Sequence, residues 1–358
     1  MAEKVMVAMS GGVDSSVAAA ILKDKGYEIT GATLKLFDNE EIGICEKQKT
    51  CCAVKDIEDA RNVALTLGFP FYVFNFKDRF IEQVIERFVR GYINGETPNP
   101  CIDCNRYIKF SELLTRASLL ENDFIATGHY AKIEYDNASK RYLLKKPVDL
   151  TKDQTYVLYA LTQEQLSKTK FVLGDYKKSE VREIAEKIGL YNAKKPDSQD
   201  ICFVKDGKYG DFIESYTGIK FEKGNFVDKS GKIYGQHKGI INYTIGQRKG
   251  LGIAHSEPLF VLNKDIENNT VIVGTEKEQY SKTLIASDIN LIVNDKLQGQ
   301  LKVYAKTRYR QKEQKATIQL IDNDKILVEF DQPQRAITKG QAVVFYDGDI
   351  VVGGGTIQ

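Results

Sequence analysis

From the start of the chain to about residue 205, short apolar runs alternate with stretches whose apolar residues recur every three or four positions. Val5 to Met9 is an apolar run that stops at Ser10-Gly11-Gly12, and Val17 to Leu22 continues as a helix. Ile29 to Leu36 reads as a second strand. Ile57, Ala60, Ala64 and Leu67 share one face of a helix, and Phe80, Ile81, Val84, Ile85, Phe88 and Tyr92 do the same in the next. Phe124 to Thr127 is a further strand, ending in Gly128-His129. This alternation predicts an α/β unit, a parallel sheet with helices on both faces.

After Cys202 the pattern changes. Turn residues recur at Lys205-Asp206-Gly207, Lys229-Ser230-Gly231, Asn268-Asn269, Asn323-Asp324 and Asp347-Gly348. Between them lie short β-rich runs such as Leu259 to Leu262, Thr270 to Val273 and Val343 to Tyr346, which predict small barrels or sandwiches. A break near 280, before Thr283-Leu284-Ile285, divides this part in two. The expected organisation is residues 1–205 as the α/β unit, then β-rich units at 206–279 and 280–358. No repeat or low-complexity tract is present.

Composition narrows the picture only a little. With 42% hydrophobic and 28% charged residues a well-buried core is available. The net charge of +2 places any polyanion site in a local patch. No secretion signal or membrane span is legible, so the expected compartment is the cytoplasm. Six cysteines in 358 residues are too few for a disulfide scaffold, so they read as free, catalytic or metal-bound thiols.

Ser10-Gly11-Gly12-Val13-Asp14-Ser15-Ser16 lies between an apolar strand and an Ala-rich helix. Two glycines let the backbone approach an anion closely, and the N–H groups of the helix N-terminus point at it. Ser15 and Ser16 add hydroxyls. Asp14 is the unexpected residue, because a carboxylate beside phosphates is repulsive unless Mg²⁺ bridges them. A bare Gly-Gly turn is often only a tight connection. The full string resembles the SGGxDS loop of the PP-loop ATP pyrophosphatase superfamily, which implies cleavage of ATP between its α and β phosphates and adenylation of a carbonyl oxygen.

Two further strings stand out: Pro98-Asn99-Pro100-Cys101-Ile102-Asp103-Cys104-Asn105, and Lys195-Pro196-Asp197-Ser198-Gln199-Asp200-Ile201-Cys202-Phe203. Others follow in order: Ala126 to Tyr130, Lys152 to Tyr156, Tyr243 to Gly252, Arg308 to Gln311, Pro333 to Ile337 and Gly340 to Val343. Together, over nearly the whole chain, they resemble the tRNA-specific 2-thiouridylases. That resemblance implies an adenine-nucleotide α-hydrolase-like domain followed by two small barrel-like domains. It also implies ATP-dependent 2-thiolation of the wobble uridine, position 34, in tRNAs for Lys, Glu and Gln.

The chemistry accounts for two cysteines. Adenylation turns the C2 oxygen of uracil into a leaving group, sulfur attacks C2 from a persulfide, and a second thiol breaks the carrier S–S bond. By resemblance, Cys202 carries the persulfide and Cys104 is the nucleophile that resolves it, closing a transient disulfide; the upstream donor would be a cysteine desulfurase or a sulfur-relay protein. Ala8, Met9, Ser10, Gly11, Gly12, Val13, Asp14, Ser15, Leu34 and Gly128 would line the ATP site, with Mg²⁺, and His129 could contact ATP or the base. Asn99, Pro100 and Cys101 would border a flipped base, and Lys152, Asp153, Gln154, Arg308 and Tyr309 would touch tRNA.

Several alternatives stay open. Any single cysteine is more often a small buried hydrophobe. Many relatives carry Asp where Cys101 stands, and Cys101, Cys104 and Cys202 could together hold an iron–sulfur cluster, a variant of the same reaction. Cys45, Cys51 and Cys52 read as incidental loop thiols, a sulfur relay or a zinc site. Lys302 to Lys315 holds six basic residues against Glu313 alone. Read as a strand, Lys302, Tyr304, Lys306, Arg308, Arg310 and Lys312 share one face, suiting either an RNA backbone or a charged edge. Other readings are a different PP-loop ligase, a decayed tRNA-binding module, or a sulfur or metal carrier.

Overall fold

The computed structural model describes residues 2–38, 54–196, 201–204, 207–322 and 324–358. Cys45, Cys51 and Cys52, and Asp197 to Asp200 of the third motif, lie outside the described residues.

The first unit is built on β1 (Lys4–Ala8), β2 (Glu28–Lys35), β3 (Phe71–Asn75) and β4 (Phe124–Ala126); a hairpin of β5 (Lys132–Asp136) and β6 (Arg141–Lys145) follows, then β7 (Thr169–Lys170). Five of these form a parallel sheet in the order β3-β2-β1-β4-β7. Period-two alternation sends Val5 and Val7 of β1 into one apolar cluster and Met6 into another on the opposite face. The helix Val13–Asp24 buries Val13, Val17, Ala18, Ile21 and Leu22. The helix expected around Phe80 to Tyr92 runs as three consecutive pieces, Lys77–Phe80, a π-helical Ile81–Ile85 and Glu86–Ile93. Periodicity shows its buried face but not the wider turns inside it.

The second sheet has β8 (Gly224–Val227), β9 (Ile233–His237), β10 (Phe260–Asp265) and β11 (Thr270–Gly274) in the order β10-β11-β8-β9. The third contains β12 (Tyr280–Leu291), β13 (Gln300–Lys306), β14 (Gln314–Asp322), β15 (Lys325–Arg335), β16 (Ala342–Asp347) and β17 (Ile350–Ile357). Pairing of β12 with both β15 and β17 closes these six strands into a barrel, which leaves them without open edges. Along β16, Val343 and Phe345 fill the barrel, while Val344 and Tyr346 pack on the cluster shared with the first unit.

The hairpin β5–β6 belongs to the first unit in sequence but extends the barrel sheet through Ile350 opposite Lys145. Side chains complete the junction. Arg106 pairs with Asp288 at 2.6 Å, Arg141 with Asp295 at 2.6 Å, and Tyr156 donates its hydroxyl to the Ala342 carbonyl at 2.8 Å.

One expectation requires correction. The strand through the basic segment ends at Lys306, and Thr307 to Arg310 form a turn. Gln311 explains the break, since its side-chain oxygen accepts from both the amide and the hydroxyl of Thr307, at 3.0 and 2.7 Å. Arg308, Arg310 and Lys312 therefore do not continue one strand face with Lys302, Tyr304 and Lys306. Lys306 is itself buried, with Asp153 at 3.2 Å and Glu313 at 3.9 Å.

Candidate active site

In the strand order, β1 has β2 on one side and β4 on the other, so the loops leaving β1 and β4 stand at the carboxyl ends of the strands where the order reverses, the place at which open α/β sheets bind ligands. The two loops meet there. A Cβ at Gly128 would lie 2.7 Å from the Ser15 nitrogen and 3.0 Å from the Asp14 Cβ, so only glycine permits the approach. Gly11 has φ +70°, and a Cβ there would come within 2.4 Å of the Asp56 carbonyl oxygen. Ala8, Met9, Ser10, Gly11, Gly12, Val13, Asp14, Ser15 and Gly128 are thus gathered at one place, and Leu34 stands at the matching end of neighbouring β2.

Hydrogen bonds stiffen the loop. The Ser15 and Ser16 hydroxyls donate to the Gly12 carbonyl at 3.2 and 3.0 Å, and the Ser10 amide donates to the Ser15 hydroxyl at 3.3 Å. Asn192 donates to the Gly11 carbonyl at 3.1 Å and to the Ser16 hydroxyl at 3.0 Å. The Lys178 ammonium holds both oxygens of Asp14, at 2.7 and 2.8 Å, and the Tyr130 hydroxyl donates to Asp14 at 2.9 Å. Lys195 lies 3.1 Å from the Gly11 carbonyl, 2.5 Å from Asp56 and 2.7 Å from Asp59. Burial works against its charge, but the hydrogen bonds to Asp56 and Asp59 prevail and hold Lys195 above the ordinary lysine value. Sequence reading missed Lys178, Tyr130, Asn192 and Lys195 as members of the loop's surroundings. Lys195 opens the third motif, which was its only signal. His129 is buried between Phe110 and Phe171, with Nδ1 2.7 Å from the Thr127 hydroxyl; burial and then Lys109 push its imidazole well below its usual value, so it is neutral.

The thiols begin on a short helix, Pro100–Asp103. Asn99 caps it by accepting from the Cys101 amide at 3.1 Å, and Pro100 occupies the first turn, where its missing N–H costs nothing. At Cys104 the helix widens into the π-helical Cys104–Glu112. Cys101 is exposed, Cys104 buried and Cys202 intermediate. Burial pushes the Cys104 thiol up to about 11, with Lys109 opposing and Cys101 and Asp103 adding. At pH 7 roughly one part in ten thousand would be thiolate. Burial also pushes Asp103 up to about 6, against Arg87 and Arg106. Cys202 packs on the same apolar cluster as Cys104, and the ring of its neighbour Phe203 sits among Phe80, Phe88 and Phe212. Among the described residues no three His, Cys, Asp or Glu side chains are grouped to hold a metal ion, so Cys101, Cys104 and Cys202 are not gathered as a cluster site.

The proposed RNA contacts divide into two kinds. The Asp153 side chain is 7% exposed, accepting from Thr155 and pairing with Lys306; the Gln154 side chain accepts from the Tyr130 amide at 2.8 Å. Arg308 donates to the carbonyls of Ile245 and Ala336 and to the Thr338 hydroxyl, all within 3.0 Å, so its guanidinium ties the loop before β10 to the turn after β15. Lys152 ends a short 3-10 turn beside them. Tyr309 is 39% exposed and stands edge-on to Tyr156. Burial, then Asp153 and more weakly Cys101 raise its phenol pKa while Arg310 lowers it, so Tyr309 is within electrostatic reach of the exposed thiol.

Comparison with known proteins fits this geometry. A tRNA methyl transferase HUP domain model matches residues 3–206, a tRNA methyl transferase PRC-barrel model residues 210–275, and an aminomethyltransferase β-barrel model residues 281–357. A tRNA-specific 2-thiouridylase MnmA of Acetivibrio thermocellus is 54% identical over 99% of both chains, and one of Clostridioides difficile is 52% identical over 100% of this chain and 99% of its own. The chain belongs to the tRNA-specific 2-thiouridylase family. Solved structures match more distantly: a 4-thiouridine synthetase–RNA complex with bound ATP is 19% identical, covers 56% of this chain and 44% of its own, and has a TM-score of 0.35. No helix among the described residues is long and apolar enough to cross a membrane.

Proposed function

We propose that this member of the family thiolates C2 of the wobble uridine, position 34, in tRNAs for Lys, Glu and Gln. The observation that carries the proposal is the glycine-paired loop at the carboxyl ends of β1 and β4, with Asp14 bonded to Lys178, in one unit with the consecutive helices that carry Cys101 and Cys104. Residues 1–205 would adenylate, and residues 206–279 and 280–358 would seat the RNA. The loop amides and Lys178 suit the β and γ phosphates of ATP. Mg²⁺ arriving with ATP would neutralise phosphate charge, with Asp14 as the carboxylate in reach.

The uracil C2 oxygen attacks the α-phosphate and pyrophosphate leaves, giving a C2–O–AMP group. The terminal sulfur of a Cys202 persulfide attacks C2 and AMP departs, leaving Cys202–S–S–C2. A Cys104 thiolate then attacks the Cys202 sulfur, releasing 2-thiouridine and forming a Cys104–Cys202 disulfide that a cellular thiol reduces. Cys104 as it stands is a protonated thiol, so this last step calls for substrate to open the pocket or bring a base to it. The persulfide is supplied by a cysteine desulfurase or a relay protein. A methyl transfer, as the wording of two domain models suggests, would leave the cysteine pair without a task.

The test is incubation with unmodified tRNA, Mg-ATP and a persulfide donor, followed by nucleoside mass spectrometry. The wild type should yield 2-thiouridine. Cys202→Ser should yield none while still forming adenylated tRNA, and full sulfur transfer by that variant would refute the assignment.

A further inference from the structure

The loop just before the thiol helix is gripped by the barrel. The Thr97 amide donates to the Lys339 carbonyl at 2.8 Å, and the Gln341 side-chain amide donates to the Thr97 carbonyl at 2.5 Å. Residues 339 and 341 thus hold both polar groups of one backbone residue, as a neighbouring strand would. The backbone amide of Gln341 is not available for this, because it donates to Thr338 within its own turn at 3.3 Å, and the side chain takes its place.

The grip is rigid on the barrel side. The Gly340 amide donates to the Ile357 carbonyl at 2.9 Å, and the Ile357 amide donates to the Gln341 carbonyl at 2.8 Å. Gly340 has φ +82°, and a Cβ there would sit 2.8 Å from the Glu96 Cβ and 3.0 Å from the Thr97 nitrogen. Backbone therefore lies directly on backbone. Arg308 fixes the start of the same turn through Ala336 and Thr338. On the other side the loop rests on its own helix, where a Cβ at Gly91 would meet Pro98 at 2.8 Å. Two residues beyond Thr97, Asn99 caps the helix that begins with Pro100 and Cys101.

We infer that Gln341 is a positioning residue, through which the barrel sets the placement of the helix bearing Cys101 and Cys104. It touches neither thiol. It acts through Thr97 and Asn99, and so makes the site on the first unit depend on the seating of the third sheet. Its contribution to turnover rests on the function proposed above; its effect on the buried thiol, Cys104, does not.

The test compares wild type with Gln341→Ala and Gln341→Glu, the latter keeping the size but losing the donor. Iodoacetamide labelling of buried Cys104, followed by peptide mass spectrometry, should be faster by about fivefold in both variants, the scale of one lost hydrogen bond. Thiolation kcat should fall by about tenfold, while KM for ATP and the affinity for tRNA stay within twofold. Labelling and kcat both within twofold of wild type in a folded Gln341→Glu protein would overturn the inference, as would equal losses in ATP binding and kcat, which mark general destabilisation. Faster labelling in a protein that yields no 2-thiouridine even as wild type would uphold the placement and reject the proposed reaction.

Discussion

Replacing Lys195 by Met removes one cation from two carboxylates. Asp56 and Asp59 have side chains 18% and 10% exposed, and Lys195 is itself 28% exposed. Breaking a fully buried pair from one side costs about 3–5 kcal/mol. The residual solvent here lowers the expectation to about 2–3 kcal/mol, still far above an exposed pair. For a unit of this size that is a fall in Tm of roughly 4–12 °C. Calorimetry on the intact chain measures it, with ATP titration as a second readout, because the same ammonium steadies the Gly11 carbonyl. Asp59 adds a pH signature. Burial raises its pKa, but hydrogen bonds to Lys195 and Tyr191 prevail and hold it below the ordinary carboxylate value. Its contribution is therefore present above the unfolded pKa, about 3.9, and lost as pH falls through the folded one. Lys195, raised in the folded state, contributes fully below about pH 10.4. The gap between wild type and variant should be flat from about pH 6 to 9 and shrink below about pH 4. A Tm within 1 °C of wild type, or a gap unchanged in acid, would refute the reasoning.

Three further outcomes are expected. Iodoacetamide at pH 8 should label exposed Cys101 at least about a hundred times faster than Cys104, whose thiol burial pushes up to about 11; similar rates by peptide mass spectrometry would count against a closed pocket. Gly128→Ala should weaken ATP binding by at least about tenfold in calorimetric titration and cost about 1–3 kcal/mol of stability, since the new Cβ strikes the Ser15 backbone. Burial pulls Lys264 down to about 8, against Glu96, so the folded state loses its proton before the unfolded chain does. Lys264→Met should then stabilise the protein at pH 7 by at most about 3 kcal/mol, an advantage fading between about pH 8 and 10.4; denaturant melts at both ends of that window would show it, and an advantage that grows with pH would contradict it.

What the sequence disclosed follows from distance along the chain. The glycine loop of Ser10 to Ser16 lies between a strand and a helix in succession, so its string carried the geometry within a few residues. The residues that complete it do not. Tyr130, Lys178, Asn192 and Lys195 reach the loop from 116 to 184 positions away, and no periodicity marks them. The alternation of charges from Lys302 onward was a true strand signal as far as Lys306, after which Gln311 captured Thr307 and turned the chain. Arg308 and Asp153 were legible as motif members, yet motif matching does not distinguish a side chain aimed at RNA from one that ties distant segments together. The thiols were visible as residues, but that Cys104 is shut in, and Cys101 is not, depended on the packing of the whole first unit.

The hairpin β5–β6 has a bearing on how the protein is made. Its partner residue on β17 lies about 200 positions later, Ile350 opposite Lys145. At a synthesis rate of about 5–20 residues per second, the hairpin leaves the ribosome some ten to forty seconds before the strand it joins. During that interval Tyr156 also lacks the Ala342 carbonyl. The first unit therefore emerges with an unfinished flank, and a ribosome-bound chain stopped before residue 342 should bind chaperones more strongly than the released protein.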